Sequence, residues 1–400
     1  MNSFSTNLQT NKVPKVSPIK ILHIIGRMQR AGIETWLMHV LRNIDRNLFQ
    51  FDFMVHTSES SDYDEEIRSF GSRIIVSPQI NWKKWWTYGT NFQQILQQYG
   101  PYDIVHSHVD YASGNVVRLA KNAGIPVRIA HSHNDISQLK VKTGWKQHFL
   151  ESWLKSCVSR YATIGLACSH QAAADMFGSC WQSDCRWQVL HYGLDLIPFH
   201  KKVKSTEVRA ELGIPEDAFV IGHVGRFALQ KNHQFLIEIA AEIAKREHKM
   251  YLLLIGSGSL RPEIEERVAQ LCLTDKVIFA GTRSDVPRLM LGAMDVFLFP
   301  SIHEGLGLVL IEAQAAGLPC VLSDVVPEEA DVVEPLINRL SLSRSASEWA
   351  EMVLARKKVN LPIKQTEALS ILQEDSPFNI ETSAKNLTDI YKQYCFTHEN

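Results

Sequence analysis

The sequence predicts an α/β protein of two domains, each built on a parallel β-sheet with helices on both faces. Short apolar runs alternate with segments whose apolar residues recur at helical spacing, and such alternation implies parallel sheets covered on both sides. The rhythm breaks once, over a stretch at 198–217 that carries Pro, Lys and charged residues, and restarts at 220–224. The chain has 400 residues, of which 45% are hydrophobic and 21% charged, and this suits two ordinary globular domains rather than one.

Residues Ile19–Ile25 are an apolar run short enough for a buried strand, and Gly26 follows them. Ile33, Trp36, Leu37, Val40 and Leu41 then trace one face of a helix. Further strands are predicted at 51–55, 74–76, 104–105 and 127–130, with helices at 88–98 and 112–123. The second half repeats the pattern, with strands at 220–224, 251–255, 277–279, 296–299 and 320–323 and helices at 234–244 and 308–316. A last helix is predicted over 384–394. The expected division is a flexible tail at 1–18, a first domain at 19–198, a second at 199–378 and a terminal helix at 379–400. No internal repeat with a period of about 20–50 residues interrupts this plan.

The formal net charge is -1, but it is unevenly spread: residues 1–200 carry 20 Lys and Arg against 15 Asp and Glu, and residues 201–400 carry 22 against 28. A basic first half suits either a solvated surface or an anionic partner such as membrane lipid. No apolar run reaches the ~18 residues that a membrane-spanning helix needs, and residues 1–18 lack the apolar core of a signal peptide. The seven cysteines (Cys157, Cys168, Cys180, Cys185, Cys272, Cys320 and Cys395) form no CxxC pair and no zinc spacing. Free thiols in a reducing compartment, hence a cytoplasmic location, are the expectation.

The chemistry-bearing residues concentrate in the second half. The strand at 296–299 leads through Pro300 and Ser301 to Glu304, Gly305, Leu306 and Gly307, and the helix that begins at Leu308 is stopped by Gly317 and Pro319. Gly305 and Gly307 have no Cβ, so the backbone can come close to a ligand, and the free N–H groups of the first helical turn favour an anion such as a diphosphate. Glu304, in the loop, suits hydroxyl groups; Glu312, one to two turns into the helix, suits a ribose. Taken alone, the two glutamates read equally well as solvated carboxylates beside a glycine-rich turn. Arg226 follows Gly225 at the exit of the second domain's first strand, and Lys231 follows shortly after. Both can reach one dianionic group and neutralise a departing diphosphate. Gly256, Ser257 and Gly258 close another strand ahead of Pro262, which suits a first helical turn.

The segment Ser301 to Gly317, SIHEGLGLVLIEAQAAG, resembles the signature of the retaining glycosyltransferases of the GT-B fold, in the family 4 group (glycosyl transferases group 1) that includes capsule and exopolysaccharide enzymes. The match takes in the flanking strand, both glutamates, both glycines and the Gly-x-Pro exit. Gly225-Arg226 with Lys231-Asn232 is similar to that family's G-R-x4-K-N element. Gly256 stands at the family's glycine turn. Phe279 to Thr282, with Asp285 and Val286, resembles the loop that holds the base through backbone atoms, which makes Thr282 and Arg283 candidates for nucleobase contact. Leu306 and Leu308 fall in the donor-binding turn.

In the first half, Gly26 to Glu34 (GRMQRAGIE) occupies the place of the family's glycine-rich loop, with the usual glycine pair reduced to Ala31-Gly32. The helix starting near Gly32 would offer its amides to the donor phosphate. His106-Ser107-His108 and His131-Ser132-His133 each end an apolar strand, where ligands of open parallel sheets collect, and residues two apart share a face. The resemblance implies that His131 or His133 contacts the donor sugar, and the spacing leaves open which. No carboxylate or Cys stands near them at zinc spacing and the resembling family needs no bound metal, so neither metal nor cofactor is expected. Trp145, Phe149 and Trp153 recur every four residues among Lys140, Lys142, Lys146, Lys155 and Arg160. They read either as a core-facing helix or as a membrane-surface face, to which Trp82, Lys83, Lys84, Trp85 and Trp86 would add.

The resemblance implies two Rossmann-like domains facing across a cleft, the donor held by the second, the acceptor by the first, and the last helix crossing back. The implied reaction is retaining transfer of a hexose or N-acetylhexosamine from a nucleotide-diphosphate sugar, a UDP-sugar, to a saccharide or lipid-linked acceptor. No nucleic-acid partner is expected. Arg226 and Lys231 would stabilise the diphosphate while Glu304 holds sugar hydroxyls and Glu312 the ribose. A GT-B nucleotide-sugar epimerase and a catalytically idle nucleotide-sugar sensor are the alternatives. A dinucleotide oxidoreductase would want G-x-G-x-x-G after the first strand, which Gly26 to Gly32 does not supply.

Overall fold

Uninterrupted apolar runs become the inner strands of two parallel sheets, because a strand covered by helices on both faces has no polar side to show. The computed structural model describes residues 17–77, 85–133, 145–357, 363–374 and 376–396. The first sheet comprises β1 (Ile19–Ile25), β2 (Phe49–Val55), β3 (Ile74–Val76), β4 (Ile104–Ser107), β5 (Val127–Ser132), β6 (Ile164–Ala167) and β7 (Trp187–Val189), in the order β3-β2-β1-β4-β5-β6-β7. The second comprises β8 (Phe219–Val224), β9 (Met250–Ile255), β10 (Val277–Gly281), β11 (Val296–Phe299), β12 (Cys320–Ser323) and β13 (Ile337–Leu340), in the order β10-β9-β8-β11-β12-β13.

This order positions the site. In each sheet the chain first steps outward in one direction, then returns to lay a strand on the other side of its starting strand. The reversal falls between β1 and β4 in the first sheet and between β8 and β11 in the second. Connections leave such a pair of strands in opposite directions and open a crevice at their carboxyl ends. His106 lies in the end of β4, Arg226 just past β8 and Glu304 just past β11.

β4 and β5 run further than predicted, to Ser107 and Ser132, because His106 pairs with Ile129 and Ser107 with Ala130 although none of the four polar residues at those strand ends extends the apolar pattern. β6, β7 and β13 were not predicted. Each has only three or four residues, and every residue of β13 is part-exposed, so none offers a long apolar run.

The last helix, Ile380–Phe396, packs on the first domain. The Trp36 indole N–H donates to Ser383 Oγ at 3.1 Å, and the Tyr391 hydroxyl lies 2.8 Å from His106 Nδ1. Leading into it, the Leu194 N–H donates to the Phe378 carbonyl at 2.8 Å and the Ile380 N–H to the Leu194 carbonyl at 3.1 Å. Gly193 makes the crossing sterically feasible, since a Cβ there would stand 2.5 Å from Ile380 Cα. A second tie between the halves is the His170–Glu329 pair at 2.7 Å.

The core-facing reading of the aromatic stripe is corrected. Trp145 is 77% exposed, Phe149 72% and Trp153 41%, while the helix Trp145–Tyr161 buries Leu154, Cys157 and Val158 instead. Lys155 turns back to Asp175 at 3.2 Å and so does not belong to the outward basic fringe. Residues 1–16, Trp82 to Lys84, Lys140 and Lys142 lie outside the described residues. Among those described, no helix is long and apolar enough to cross a membrane.

Candidate active site

The ends of β8, β9 and β10 meet backbone to backbone. Gly256 adopts φ +136°, and a Cβ on it would lie 2.1 Å from the Gly225 carbonyl oxygen; its N–H donates to the Gly281 carbonyl at 2.8 Å. Gly225 in turn abuts the Lys231 stem, with 3.1 Å to Cγ from an added Cβ. The glycine at 256 is therefore demanded by the packing of strand exits as well as by its backbone angle. Beside it the Thr282 hydroxyl donates to Ser257 Oγ at 3.1 Å, on an exposed rim.

Over this floor the two motifs of the second domain are clamped together. The Lys231 ammonium lies 2.6 Å from Glu304 Oε1, with side chains 14% and 6% exposed, and 4.6 Å above the Phe299 ring. Gln230 donates its amide to the His303 carbonyl at 3.0 Å and to Glu304 Oε2 at 3.4 Å, and Asn232 donates to the Pro300 carbonyl at 3.1 Å. Asn232 reaches it from the left-handed region, φ 54°. Arg226, by contrast, is exposed, and its guanidinium forms no hydrogen bond or ion pair among the described residues. Lys231 and Glu304 thus neutralise each other, whereas the Arg226 charge has no hydrogen-bonded partner among the described residues.

Gly307, φ 85°, caps the helix Leu308–Ala315, and Leu306 beneath it is buried. Glu312 is on that helix; burial of its carboxyl pushes its pKa up to about 7. Arg283 is spent elsewhere: its guanidinium pairs with Asp285 at 2.7 Å and Glu211 at 2.9 Å, which raises its pKa.

The first domain comes to this loop directly. A Cβ on Gly305 would stand 1.9 Å from the His133 carbonyl oxygen, and one on Gly32 would touch Leu308 Cδ1 at 3.8 Å. His131 and His133 do face the same way, with ring centroids 4.3 Å apart, but their surroundings differ. His131 packs edge-on against Trp36 and takes His106 Nε2 on its Nδ1 at 3.1 Å. His133 stands at the strand end beside Gly305, held by Tyr192 on Nδ1 and by His108 on Nε2 at 2.9 Å. Burial depresses the pKa of both, so both are neutral at pH 7.

Glu34 was not singled out from the sequence. It is buried on the helix Gly32–Asn43, and burial pushes its pKa up to about 7 against its own backbone hydrogen bond and the positive charge of Arg226 and Arg27. The available signal was an acidic residue in the first turn after a glycine loop.

Residues 204–355 match the family described as glycosyl transferases group 1, and residues 30–197 match glycosyltransferase family 4. EpsF of Bacillus subtilis (strain 168), named as a glycosyltransferase, is 36% identical over 364 residues, which cover 90% of this chain and 94% of EpsF. This chain belongs to the group 1 glycosyltransferases of family 4. The glycosyltransferase is also 26% identical over 330 residues to the UDP-Gal:alpha-D-GlcNAc-diphosphoundecaprenol alpha-1,3-galactosyltransferase of Escherichia coli, covering 79% of this chain and 81% of that one. Its fold is GT-B: Alr3699/HepE of Anabaena, solved in complex with UDP-glucose, superposes with a TM-score of 0.77 at 18% identity over 94% of this chain and 100% of that one.

Because the glycosyltransferase brings the Gly305 backbone against the His133 carbonyl, Gly305→Ala is expected to force the domains apart. Turnover should fall by about 10²-fold, the order expected for a misplacement near 1 Å, while the variant keeps its melting temperature within a few degrees. Wild-type turnover in a steady-state transfer assay would show that the contact is dispensable.

Proposed function

We propose that this glycosyltransferase moves a hexose or N-acetylhexosamine from a UDP-sugar to a saccharide or lipid-linked saccharide in the assembly of a surface polysaccharide, with retention at the anomeric carbon. The observation that carries this reading is the Lys231–Glu304 pair beside the unengaged Arg226 at the mouth of the second sheet. A diphosphate arriving at Arg226 draws on Lys231 as well, and the sugar's hydroxyls take over Glu304. The pair therefore exchanges one partner for two parts of one donor. Glu312 accepts hydrogen bonds from the ribose. Gly225, Gly256, Gly305, Leu306, Gly307 and Leu308 form the backbone surface on which the diphosphate rests, and the backbone at Thr282 and Arg283 meets the base. Gly32 opens the helix that faces the donor from the first domain. His133, at the strand end, meets the donor loop through its backbone, with His131 behind it.

In the step itself the acceptor hydroxyl oxygen bonds to the anomeric carbon on the face from which UDP departs. The carbon–oxygen bond to the diphosphate breaks, and the hydroxyl proton passes to the departing phosphate oxygen. Negative charge grows on that phosphate in the transition state, where Arg226 and Lys231 meet it. The side chains supply this without a metal or cofactor in the chemistry. The Escherichia coli relative is named for an acceptor on diphosphoundecaprenol, which supports a lipid-linked acceptor here and a place at the cytoplasmic face of a membrane. The exposed Trp145, Phe149 and Trp153 stripe gives that placement a surface of the right chemistry, since aromatic side chains sit well at the headgroup boundary.

UDP-glucose, the ligand named with HepE, is the first donor to try. Arg226→Ala should lower kcat by about 10²–10³-fold with KM for the donor changed far less, because its charge is needed most in the transition state. Unchanged kcat, or an inverted anomer in the product by NMR, overturns the assignment.

The Glu312 carboxyl, raised to about 7, is neutral below that pH and can accept from both ribose hydroxyls only when ionised. UDP-glucose affinity is therefore expected to rise roughly tenfold between about pH 6 and pH 8 and to lose that rise in Glu312→Gln, measured by calorimetry. In the empty protein the sign is opposite: a raised carboxyl pKa contributes stability that is lost as pH climbs from the ordinary 4.5 through about 7.

For the membrane face, Phe149→Asp should reduce sedimentation with vesicles containing anionic lipid by several-fold while leaving the fold intact. Equal sedimentation of the variant and the wild type would assign the stripe to some other contact.

A further inference from the structure

Five imidazoles cover one face of the first sheet. The β1–β4 register sets His23 beside His106, and the β4–β5 register sets Ser107 beside Ala130, so one step further His108 comes beside His131. His23, His106 and His131 are fully buried, and His108 and His133 are 4% exposed. Potential ligand atoms of His23, His106 and His108 all lie within 4.8 Å of one another, as do those of His108, His131 and His133. His108 belongs to both groups.

The outer sides of the patch are already arranged as metal sites arrange them. Tyr391 fixes Nδ1 of His106 at 2.8 Å and Tyr192 fixes Nδ1 of His133, which leaves Nε2 of each ring facing inward. Without an ion the rings bridge one another, as His23 Nδ1 does to His108 Nε2 at 3.0 Å. That arrangement cannot satisfy all of them. His23 Nε2 and His131 Nε2 are buried with no partner among the described residues, which is unfavourable for each.

We infer that the histidine patch is a transition-metal site centred on His108, taking a divalent ion of the zinc type. An all-imidazole set suits zinc and its neighbours and not magnesium or calcium, which seek oxygen. Compensating charge is close: the Asp110 carboxylate accepts from the His133 backbone N–H at 3.3 Å. His108 and His133 form the side nearest the cleft, through which an ion enters. The ion stands outside the transfer reaction and serves to hold the strand end that meets Gly305.

The full-length protein is stripped with a chelator, dialysed and titrated with Co(II), read by its ligand-field absorption, then challenged with Zn(II). The expected result is one equivalent of Co(II) with the intense absorption of a tetrahedral site, displaced by Zn(II). His108→Gln should weaken binding by at least about tenfold, since it removes a ligand from both groups, while His248→Gln on the surface leaves it unchanged. If His108→Gln loses its circular dichroism, the double variant His23→Gln with His131→Gln takes one ligand from each group and carries the same comparison. A wild-type protein that leaves the Co(II) spectrum as in buffer, or a folded patch variant that binds as tightly as wild type, overturns the proposal.

Discussion

The Lys231–Glu304 ion pair is the contact around which the second domain's site is organised. It joins two segments that are far apart in sequence, the exit of β8 and the loop after β11, and its 2.6 Å separation in a nearly water-free setting makes either charge expensive to leave alone. Gln230 and Asn232 tighten the same junction from neighbouring positions. The site is thus assembled before any donor arrives, with its charges balanced internally. A ligand that brings both an anion and hydroxyl groups can replace both halves of the pair, whereas a ligand that brings only one would strand the other half.

The second constraint is steric. The strand exits carry glycine where backbones touch: Gly256 against Gly225, and Gly305 against the carbonyl of His133 in the other domain. Gly305 in particular was read as a place where a phosphate could come close. The structure adds that it is where the first domain comes close, so the same missing side chain serves the seam between domains. Neutral, buried His133 and Glu34, whose carboxyl burial pushes up to about 7, line the first domain's side of that seam.

Much of this was legible in the sequence because the second domain states its chemistry in local order. The signature around Glu304, Gly307 and Glu312 lies within one strand-loop-helix unit, and Arg226 and Lys231 lie within another, so spacing alone brings each set near a strand exit. What local order cannot state is contact between units. Nothing near Lys231 in sequence indicates that it pairs with Glu304, nothing at Gly305 names His133, and the five-histidine patch exists only once β1, β4 and β5 lie side by side. The core-facing reading of Trp145, Phe149 and Trp153 failed for a related reason: helical periodicity shows that three residues share a face but not whether that face looks in or out. Short edge strands such as β13 escaped because four part-exposed residues carry no pattern to read.

The terminal helix has a consequence for the order of synthesis. Trp36 and His106 are made before the second domain, yet their partners Ser383 and Tyr391 are made after it, 347 and 285 residues further along the chain. A first domain emerging from the ribosome lacks the helix that covers this face until residues 380–396 have been made. While the second domain is still being translated, this face of the leading domain is therefore uncovered. The first domain is completed only after the second has been made.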